Sequence, residues 1–327
     1  MNQPARVARI ERTGRPEVIE WVDVDLPPPG PGEARIRHTA VGLNYIDAYH
    51  RSGLYKIDLP GALGSEAAGV VEAVGGPADG FHVGDRVGTF GPSRGAYATA
   101  RNVPVDQLVH LPDSVDDRTA AALLLKGGTA AMLIEQCAKI RAGQAILVHA
   151  AAGGVGHLLV GWLKAIGAVV IGSVGSEEKA TIARDAGADH VVLHRSEDVA
   201  ARVREITGGE GAAVVLDGVG KATWAASLAA TARRGMIVSY GNASGPVDGV
   251  NLGALAAHGS LFVTRPTLFD YATTQGERQA MADRVFEMLS RGAIDPVIGQ
   301  MFPLEEAAAA HRAMEAGQTH GSTVMMV

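Results

Sequence analysis

A run of small residues, Ala150-Ala151-Ala152-Gly153-Gly154-Val155-Gly156, stands between a short apolar segment and a helical pattern. The preceding segment, Ala145–His149, lacks polar alternation and is typical of a buried parallel strand. Glycines let the backbone turn sharply and approach a pyrophosphate, while free amides at a helix start donate hydrogen bonds to it. Because further strand–helix units follow along the chain, the run predicts a dinucleotide-binding turn and not an ordinary strand-to-helix connection.

The end of the next predicted strand bears on which dinucleotide binds. An NAD site usually has an acidic residue there for the ribose 2′-hydroxyl, but the strand Ala168–Val174 is followed by Gly175 and Ser176. Ser176 can donate to a phosphate, and Lys179 lies one helical turn further on, where it can neutralise the charge. The sequence therefore favours NADP over NAD. The alternative for Lys179 is a solvated surface lysine.

Metal and nucleophile centres have no sequence support. Zinc needs clustered Cys, His or carboxylate ligands, whereas the chain has one cysteine, Cys137, and no histidine pair in a recognisable ligand motif. No G-x-S-x-G nucleophile elbow occurs. Cys137 falls in a predicted helix among apolar neighbours, so we interpret it as core packing. A single cysteine also fits a reducing cytoplasm.

Composition limits the remaining function classes. The chain has 327 residues, of which 47% are hydrophobic and 20% charged, enough for two domains with separate cores. The net charge of -6 gives no basic footprint for nucleic acid. No uninterrupted apolar run reaches membrane-spanning length. We therefore expect a soluble, globular protein.

The elements that position these residues fall into two patterns. Up to Lys126 the chain has short strands with turn residues between them, and the Tyr49–Tyr55 stretch appears loop-like. After Lys126, strands and helices alternate, which predicts a doubly wound parallel sheet. This α/β fold is expected as a Rossmann domain (126–266) inserted into a mostly β domain (1–125 and 267–327). The predicted strands are Arg6–Glu11, Val18–Val24, Glu33–Gly42, Ala67–Gly75, Arg86–Phe90, Ala145–His149, Ala168–Val174, His190–His194, Ala213–Asp217, Met236–Tyr240, Leu261–Thr264 and Thr323–Val327. The predicted helices include Gly128–Ile140, Glu177–Ala186, Val199–Thr207, Ala222–Arg233, Arg278–Arg291 and Leu304–Ala316.

Three motifs carry a family resemblance. The segment Gly42-Leu43-Asn44-Tyr45-Ile46-Asp47-Ala48-Tyr49-His50-Arg51-Ser52-Gly53-Leu54-Tyr55 is one, Gly64-Ser65-Glu66-Ala67-Ala68-Gly69-Val70-Val71 another, and Val83-Gly84-Asp85-Arg86-Val87 the third. With matching segments around 150–156, 240–242 and 263–266, the whole chain resembles the zinc-free quinone oxidoreductase, or zeta-crystallin-like, branch of the medium-chain dehydrogenase/reductase superfamily.

The resemblance implies a fold, a cofactor and an assembly. The mostly β domain would be GroES-like and catalytic, and NADPH would bind the Rossmann domain. No metal is implied, since zinc-dependent relatives have a histidine where this chain has Ser65 and a cysteine near Asn44. The family also implies a homodimer in which equivalent edge strands, Leu261–Thr264, pair across a two-fold axis.

Site roles follow from the resemblance residue by residue. Asn44, Tyr49 and Tyr55 are the catalytic candidates, the tyrosines orienting the acceptor or donating a hydrogen bond to it. The implied cofactor contacts are Tyr45, Ile46, Asp47, Lys126 and Thr129 at the nicotinamide end; Gly153, Gly154 and Val155 at the pyrophosphate; Gly175, Ser176, Lys179 and His194 at the adenosine phosphate; and Tyr240, Gly241, Asn242, Ala243, Arg265, Pro266 and Thr267 along the nicotinamide.

The sequence departs from the family pattern at three positions. His194 stands where these reductases often have a tyrosine near the 2′-phosphate, and Gly317 where some have an arginine for it. Gly161 replaces a common glutamine. The first two departures weaken the interpretation of an NADPH site without reversing it.

The predicted activity is NADPH-dependent reduction of a quinone. One alternative is an enoyl or other activated-alkene reductase, which would use the same fold and cofactor. Another is a non-catalytic, crystallin-like or RNA-binding protein, although the acidic balance gives RNA little electrostatic support. At the residue level, Tyr49 and Tyr55 could instead pack a loop, and Asn44 and Asp47 could be turn or helix-cap residues.

Overall fold

The computed structural model describes residues 2–76 and 80–327, so Met1 and Pro77–Asp79 of the first predicted domain lie outside the described residues. The chain divides into two compact units. The first comprises Met1–Gly128, Ala272–Val285 and Val297–Val327. The second comprises Thr129–Tyr271 and Phe286–Pro296. The domain boundaries drawn from the sequence stay a prediction.

The regular elements are as follows. The strands are β1 Gln3–Ile10, β2 Glu20–Leu26, β3 Glu33–Leu43, β4 Gly61–Ala62, β5 Glu66–Val74, β6 Arg86–Thr89, β7 Ala100–Pro104, β8 Leu108–His110, β9 Ala145–His149, β10 Val169–Val174, β11 His190–Leu193, β12 Ala212–Asp217, β13 Thr231–Ser239, β14 Phe262–Thr264, β15 Ile298–Pro303 and β16 Ser322–Met326. The α-helices are α1 Tyr45–Ser52, α2 Asp117–Ala131, α3 Gly154–Ala165, α4 Glu177–Asp185, α5 Val199–Ile206, α6 Trp224–Ala230, α7 Leu252–Ala257, α8 Gln275–Ser290 and α9 Ala307–Glu315.

The first unit contains two antiparallel-rich sheets. One has the order β2-β1-β4; the other runs β15-β16-β3-β5-β6-β8, with β7 also paired to β3. Strand β3 is central because it pairs with β5, β7 and β16, and its end aligns Gly42 with Glu66. Val41, Leu63 and Ala67 are fully buried in the core beneath. This pairing fixes where the end of β3 and the start of β5 meet.

The second unit is built on a parallel sheet with the order β11-β10-β9-β12-β13-β14. The chain starts at the central β9, adds strands to one side and then crosses to the other, which is the strand order of a Rossmann fold. Leu147, Ile171, Val215 and Ile237 are fully buried, as expected of strands covered on both faces. The predicted α/β fold class is confirmed.

Several predicted elements differ from the observed ones. The Tyr49–Tyr55 stretch is not a loop throughout, since α1 extends to Ser52. The helix predicted from Gly128 begins at Asp117. The earlier start was missed because the successive residues Ala120–Leu124 are all buried and give no helical periodicity. The helix predicted over Ala222–Arg233 ends at Ala230.

Cys137 also differs from its prediction as mid-helix core filler. It ends the π-helical turn Met132–Cys137 that continues α2, and it is only partly buried. Burial raises the pKa of its thiol, while a hydrogen bond with Tyr271 opposes that shift. Strands β7, β8 and β15 were not predicted, since their short segments lack clear alternation.

Candidate active site

Polar side chains from four elements and the loops beside them meet inside the first unit, although the core around them is apolar. Each is at most 6% exposed and hydrogen-bonds to at least one other member. We call them the polar cluster: Asn44, Asp47, Ser65, Glu66, Tyr97, Lys126 and His311.

The start of α1 supplies two members of the polar cluster. Asn44 is the N-cap residue, and its backbone N–H donates to Asp47 Oδ2 at 3.0 Å. The helix-cap alternative for this pair is therefore correct. Ser65 Oγ donates to Asp47 Oδ1 at 2.9 Å, and the Tyr97 hydroxyl donates to Oδ2 at 3.1 Å. Burial raises the pKa of Asp47 to about 7, against the lowering effect of these donors and of the Lys126 charge.

Glu66 joins β3, β5 and α2. Its Oε2 accepts from Asn44 Nδ2 at 2.8 Å and from Lys126 Nζ at 3.2 Å, while Oε1 accepts from the Leu125 backbone N–H at 2.7 Å. Gly42 lies against this carboxylate, and a Cβ there would overlap Glu66 Oε2 and the Ala121 carbonyl. A glycine at 42 is thus what allows the buried glutamate to pack beside β3.

Tyr97 and His311 were not predicted as site residues. Their Oη–Nε2 distance is 3.0 Å although they are 214 positions apart in sequence. Since the Tyr97 hydroxyl donates to Asp47, it accepts from His311 Nε2–H. Burial lowers the pKa of His311 to about 3, so the ring is neutral, and burial raises the pKa of Tyr97 well above its ordinary value. No local pattern could have paired these two residues.

Tyr49 and Tyr55, the two tyrosines predicted to be catalytic, contact one another. The Tyr49 and Tyr55 ring centroids are 5.1 Å apart in an edge-on arrangement, and Tyr49 is 9% exposed. Tyr45 lies 6.1 Å from Tyr49, with its hydroxyl donating to the Met314 carbonyl at 3.3 Å. The structure therefore gathers Asn44, Tyr45 and Tyr49 on one short helix, with Ile46 half-buried between them.

In the second unit, the predicted phosphate turn has the geometry that a pyrophosphate needs. Gly153 is the N-cap of α3 and has no side chain to cap it, so the amides of Gly154 and Val155 are not capped by a side chain. A Cβ on Gly156 would overlap the Ala150 carbonyl, so only glycine permits this close turn. The residues present thus fit a dinucleotide's phosphates at a helix N-terminus.

The residues predicted for an adenosine phosphate gather at the end of β10. Ser176 is the N-cap of α4, and its Oγ accepts from the Lys179 backbone N–H at 3.3 Å, which leaves the hydroxyl proton free to donate. A Cβ on Gly175 would lie 3.3 Å from the His194 ring and 3.4 Å from Arg195 Nε. Burial lowers the pKa of His194, as do the charges of Arg195 and Lys179.

Arg195 lies beside these residues, and the sequence reasoning did not single it out. It follows β11, which pairs in parallel with β10 so that Val174 aligns with Leu193. The residues after both strands therefore meet at the same edge of the sheet. A basic residue two positions after the third strand of the unit was the available signal.

The residues predicted to lie along the nicotinamide follow the ends of β13 and β14. Arg265 Nη1 donates to the Ser239 and Gly241 carbonyls at 3.0 and 2.9 Å. With the Asn242 amide turned so that both of its ends are satisfied, its side-chain oxygen accepts from Arg265 Nη2 at 3.0 Å. The guanidinium therefore orders the turn after β13 from the segment after β14. Next to these positions in sequence lie the other residues predicted along the nicotinamide, namely Tyr240, Ala243, Pro266 and Thr267. Thr129, also predicted at the nicotinamide end, lies in α2.

Metal and membrane features can be assessed only over residues 2–76 and 80–327. Within those ranges, no group of three or more His, Cys, Asp or Glu side chains could hold a metal ion. Within the same ranges, no helix combines the length and hydropathy required to cross a bilayer.

Comparison with known proteins places these features beside related chains. Residues 30–113 match the alcohol dehydrogenase GroES-like domain, and residues 154–290 match the zinc-binding dehydrogenase family. A quinone oxidoreductase from Pseudomonas aeruginosa is 51% identical over 96% of this chain and 97% of its own. A 2-haloacrylate reductase from Burkholderia is 43% identical over 98% of both chains. The crystal structure of Escherichia coli quinone oxidoreductase complexed with NADPH superposes with a TM-score of 0.96 at 41% identity, covering 98% of this chain and all of that one.

Proposed function

The chain belongs to the quinone oxidoreductase branch of the medium-chain dehydrogenase/reductase superfamily, and on that premise we propose that it is an NADPH-dependent quinone reductase. The observation that carries the proposal is the cluster at the end of β10, where Gly175 and Ser176 replace the acid of an NAD site. Lys179 and Arg195 add positive charge beside them. Such a site suits a 2′-phosphate.

The cofactor contacts proposed for this chain follow the carboxyl ends of the parallel strands. Bound NADPH supplies a hydride, and the protein must hold the cofactor and acceptor together and exclude water. The amides of Gly154 and Val155 hold the pyrophosphate. Ser176, Lys179 and Arg195 hold the 2′-phosphate, and the turn ordered by Arg265 supports the nicotinamide.

The acceptor residues proposed are Tyr49 and Tyr55, with Asn44 at the start of the helix that carries Tyr49. The two tyrosine rings are in T-shaped contact, and a tyrosine hydroxyl is a group that can donate to an acceptor oxygen. Because Asn44 Nδ2 is already engaged by Glu66, we assign Asn44 the role of joining α1 to the polar cluster.

A panel of quinones, enones and enoyl thioesters, each followed by the loss of NADPH absorbance, tests the proposed function. We expect turnover of quinones and a clear preference for NADPH over NADH. Turnover of enones or acrylates but not quinones would favour the activated-alkene reductase, the alternative that the Burkholderia relative supports. NADPH binding without oxidation by any acceptor, together with salt-dependent RNA retention, would favour the non-catalytic alternative.

The assembly proposed is a homodimer through β14. This strand is at the edge of the parallel sheet, and Phe262 and Val263 on it are 58% and 39% exposed. An exposed apolar edge strand is a template for pairing with another chain.

The compartment proposed is the cytoplasm, which suits the single free thiol of Cys137.

A further inference from the structure

The ammonium group of Lys126 has more hydrogen-bond donors than the protein uses. Its side chain is only 6% exposed, so water reaches little of it. An ammonium has three N–H donors, but among the described residues Nζ donates only to Glu66 Oε2, at 3.2 Å. A buried N–H group that has no acceptor lowers the stability of the folded protein. Two donors of a buried cation thus remain for a ligand.

The partner of Lys126 also accepts hydrogen bonds from two other donors. Glu66 shares its carboxylate between Lys126, the Asn44 amide and the Leu125 backbone N–H. Asp47 is the other acid of the polar cluster, and burial raises its pKa to about 7, so much of it is uncharged near neutral pH. Asp47 therefore adds little negative charge that would repel an anionic oxygen beside the ammonium.

The position of Lys126 connects it to the proposed acceptor residues. Lys126 Nζ and Asn44 Nδ2 converge on the same Glu66 oxygen, at 3.2 and 2.8 Å. Asn44 also caps α1, the helix that carries Tyr49. Glu66 therefore links the ammonium group to the N-terminus of α1, the helix that carries Tyr49.

We propose that Lys126 is a catalytic residue whose ammonium donates a hydrogen bond to the acceptor oxygen on which negative charge develops. This inference rests on the proposed function, and it assigns Lys126 to the acceptor and not to the cofactor. Glu66 is a positioning residue that holds the ammonium in place. The expected acceptors are compounds whose reduction places charge on an oxygen, namely quinones and alkenes conjugated to a carbonyl.

The reaction balances without any change to Lys126. A C–H bond of the reduced nicotinamide breaks, and the hydrogen with its electron pair joins the acceptor, so NADPH becomes NADP⁺. The acceptor gains two electrons and one hydrogen and carries one negative charge, as a hydroquinone monoanion or an enolate. Lys126 stabilises that oxygen by charge and hydrogen bonding. A proton from water then neutralises it.

The test uses Lys126→Met, which keeps most of the side-chain length but removes the charge, and Lys126→Arg, which restores it. We expect kcat/KM for quinone to fall about 10²-fold in Lys126→Met, the usual effect of losing one donor to an oxyanion, with Lys126→Arg intermediate. The Kd of NADPH should stay at the parental value in both. Lys164→Met is the matched control, because that lysine is also ion-paired but 52% exposed.

A binding measurement separates this role from a structural one. In the NADP⁺ complex, 4-nitrophenol imitates the reduced acceptor, and absorbance reports whether it is bound as phenolate. The parent should lower the apparent pKa of the bound phenol, and Lys126→Met should abolish that effect. Because Lys126→Met leaves Glu66 buried and unpaired, the double variant Lys126→Met/Glu66→Gln repeats both measurements without an uncompensated charge.

The outcomes distinguish the inference from the proposed function. If the parent reduces quinones and folded Lys126 variants keep parental kcat/KM and the same phenol titration, Lys126 has no catalytic role. If the Kd of NADPH rises while the phenol titration is unchanged, Lys126 binds the cofactor and the inference is wrong. If the parent reduces no acceptor yet its phenol titration depends on Lys126, the proposed function fails and the oxyanion site stands.

Discussion

At the scale of single residues, the acceptor side of the site offers hydroxyl groups that can be removed without removing their rings. Tyr49 and Tyr55 contact each other through ring edges, and Tyr49 is largely buried. A phenylalanine would preserve that packing. Tyrosine-to-phenylalanine variants therefore separate a role in catalysis from a role in the fold.

We expect Tyr49→Phe or Tyr55→Phe to lower kcat/KM for quinone roughly tenfold, which corresponds to ~1.4 kcal/mol. A single donor to developing charge can be worth up to ~3–4 kcal/mol, but water can substitute as the proton donor here. Steady-state kinetics, NADPH titration and thermal melting measure the effects. Parental kcat/KM in both single variants and the double variant would leave the hydroxyls without a role, and a lower Tm with unchanged kinetics would indicate packing alone.

Cofactor choice also depends on single residues, at the end of β10. Lys179→Ala and Arg195→Ala should each weaken NADPH binding by ~1–3 kcal/mol, the range for losing a hydrogen bond to a charged group. NADH lacks the 2′-phosphate, so its affinity should scarcely change. Calorimetric titration of both cofactors checks this, with Arg184→Ala, an exposed arginine at the other end of α4, as the control. Equal affinity of the parent for NADPH and NADH would refute the assignment.

At the scale of elements, the sheet of the second unit brings its proposed cofactor residues together at one edge. The turns after β9, β10, β11, β13 and β14 all follow the carboxyl ends of parallel strands, where ligands of such sheets bind. In the first unit, the pairing of β3 with β5 brings the start of α1 beside the start of β5. Asn44 therefore lies close to Ser65 and Glu66.

Edge strand β14 allows an element-level prediction about assembly. Phe262→Lys should shift the protein from dimer to monomer, because a buried lysine at the pairing edge is costly and edge charges oppose strand pairing. Analytical ultracentrifugation over a concentration series measures the shift. Met301→Lys is the matched control, since Met301 is 57% exposed on β15, the edge strand of the first unit's larger sheet. A parent that is monomeric throughout, or an unchanged dimer in Phe262→Lys, contradicts the proposed interface.

At the scale of the whole molecule, stability should depend on pH through the buried Asp47. Its pKa is about 7 in the folded protein against an ordinary value of 3.8, so between these values the folded state binds more protons than the unfolded chain. The Asp47 contribution is therefore fully present below 3.8 and is lost as pH rises through about 7. The total is on the order of a few kcal/mol.

Comparison with Asp47→Asn isolates this contribution. The parental free energy of unfolding minus that of the variant should fall as pH rises between the two pKa values and level off above. Urea denaturation at several pH values measures it. Buried His38 and His311, whose folded pKa values are about 3, give the opposite slope as pH falls below their ordinary 6.5, but they do so in both proteins. Parallel curves for parent and Asp47→Asn would contradict the prediction.

The metal content of the purified protein is a second whole-molecule property. The family resemblance implies that Asn44 and Ser65 stand in place of zinc ligands, and both donate hydrogen bonds inside the polar cluster. We expect no stoichiometric zinc by elemental analysis and full activity after chelator treatment. About one zinc per chain, with activity lost on its removal, would overturn the zinc-free prediction.

The sequence by itself determined the features that depend on residues close together along the chain. The alternation of strands and helices predicts the Rossmann sheet, because burial on both faces imposes an apolar pattern on each strand. The glycine run predicts the turn before α3, since close backbone approach excludes side chains there. The position of Lys179 one turn into α4 follows from Ser176 as its N-cap.

Tertiary structure alone decided the contacts between distant segments. Tyr97 and His311 are 214 positions apart, and Lys126 and Glu66 are 60 apart, so no window of sequence contains either pair. Arg195 enters the site only because β11 pairs with β10 in one particular register. The short helix α1 was missed because eight residues give little periodicity, and its cap is stabilised by Ser65 and Tyr97 from elsewhere. Buried hydrogen bonds of this kind depend on which segments the packed core brings together, and local sequence patterns do not record that.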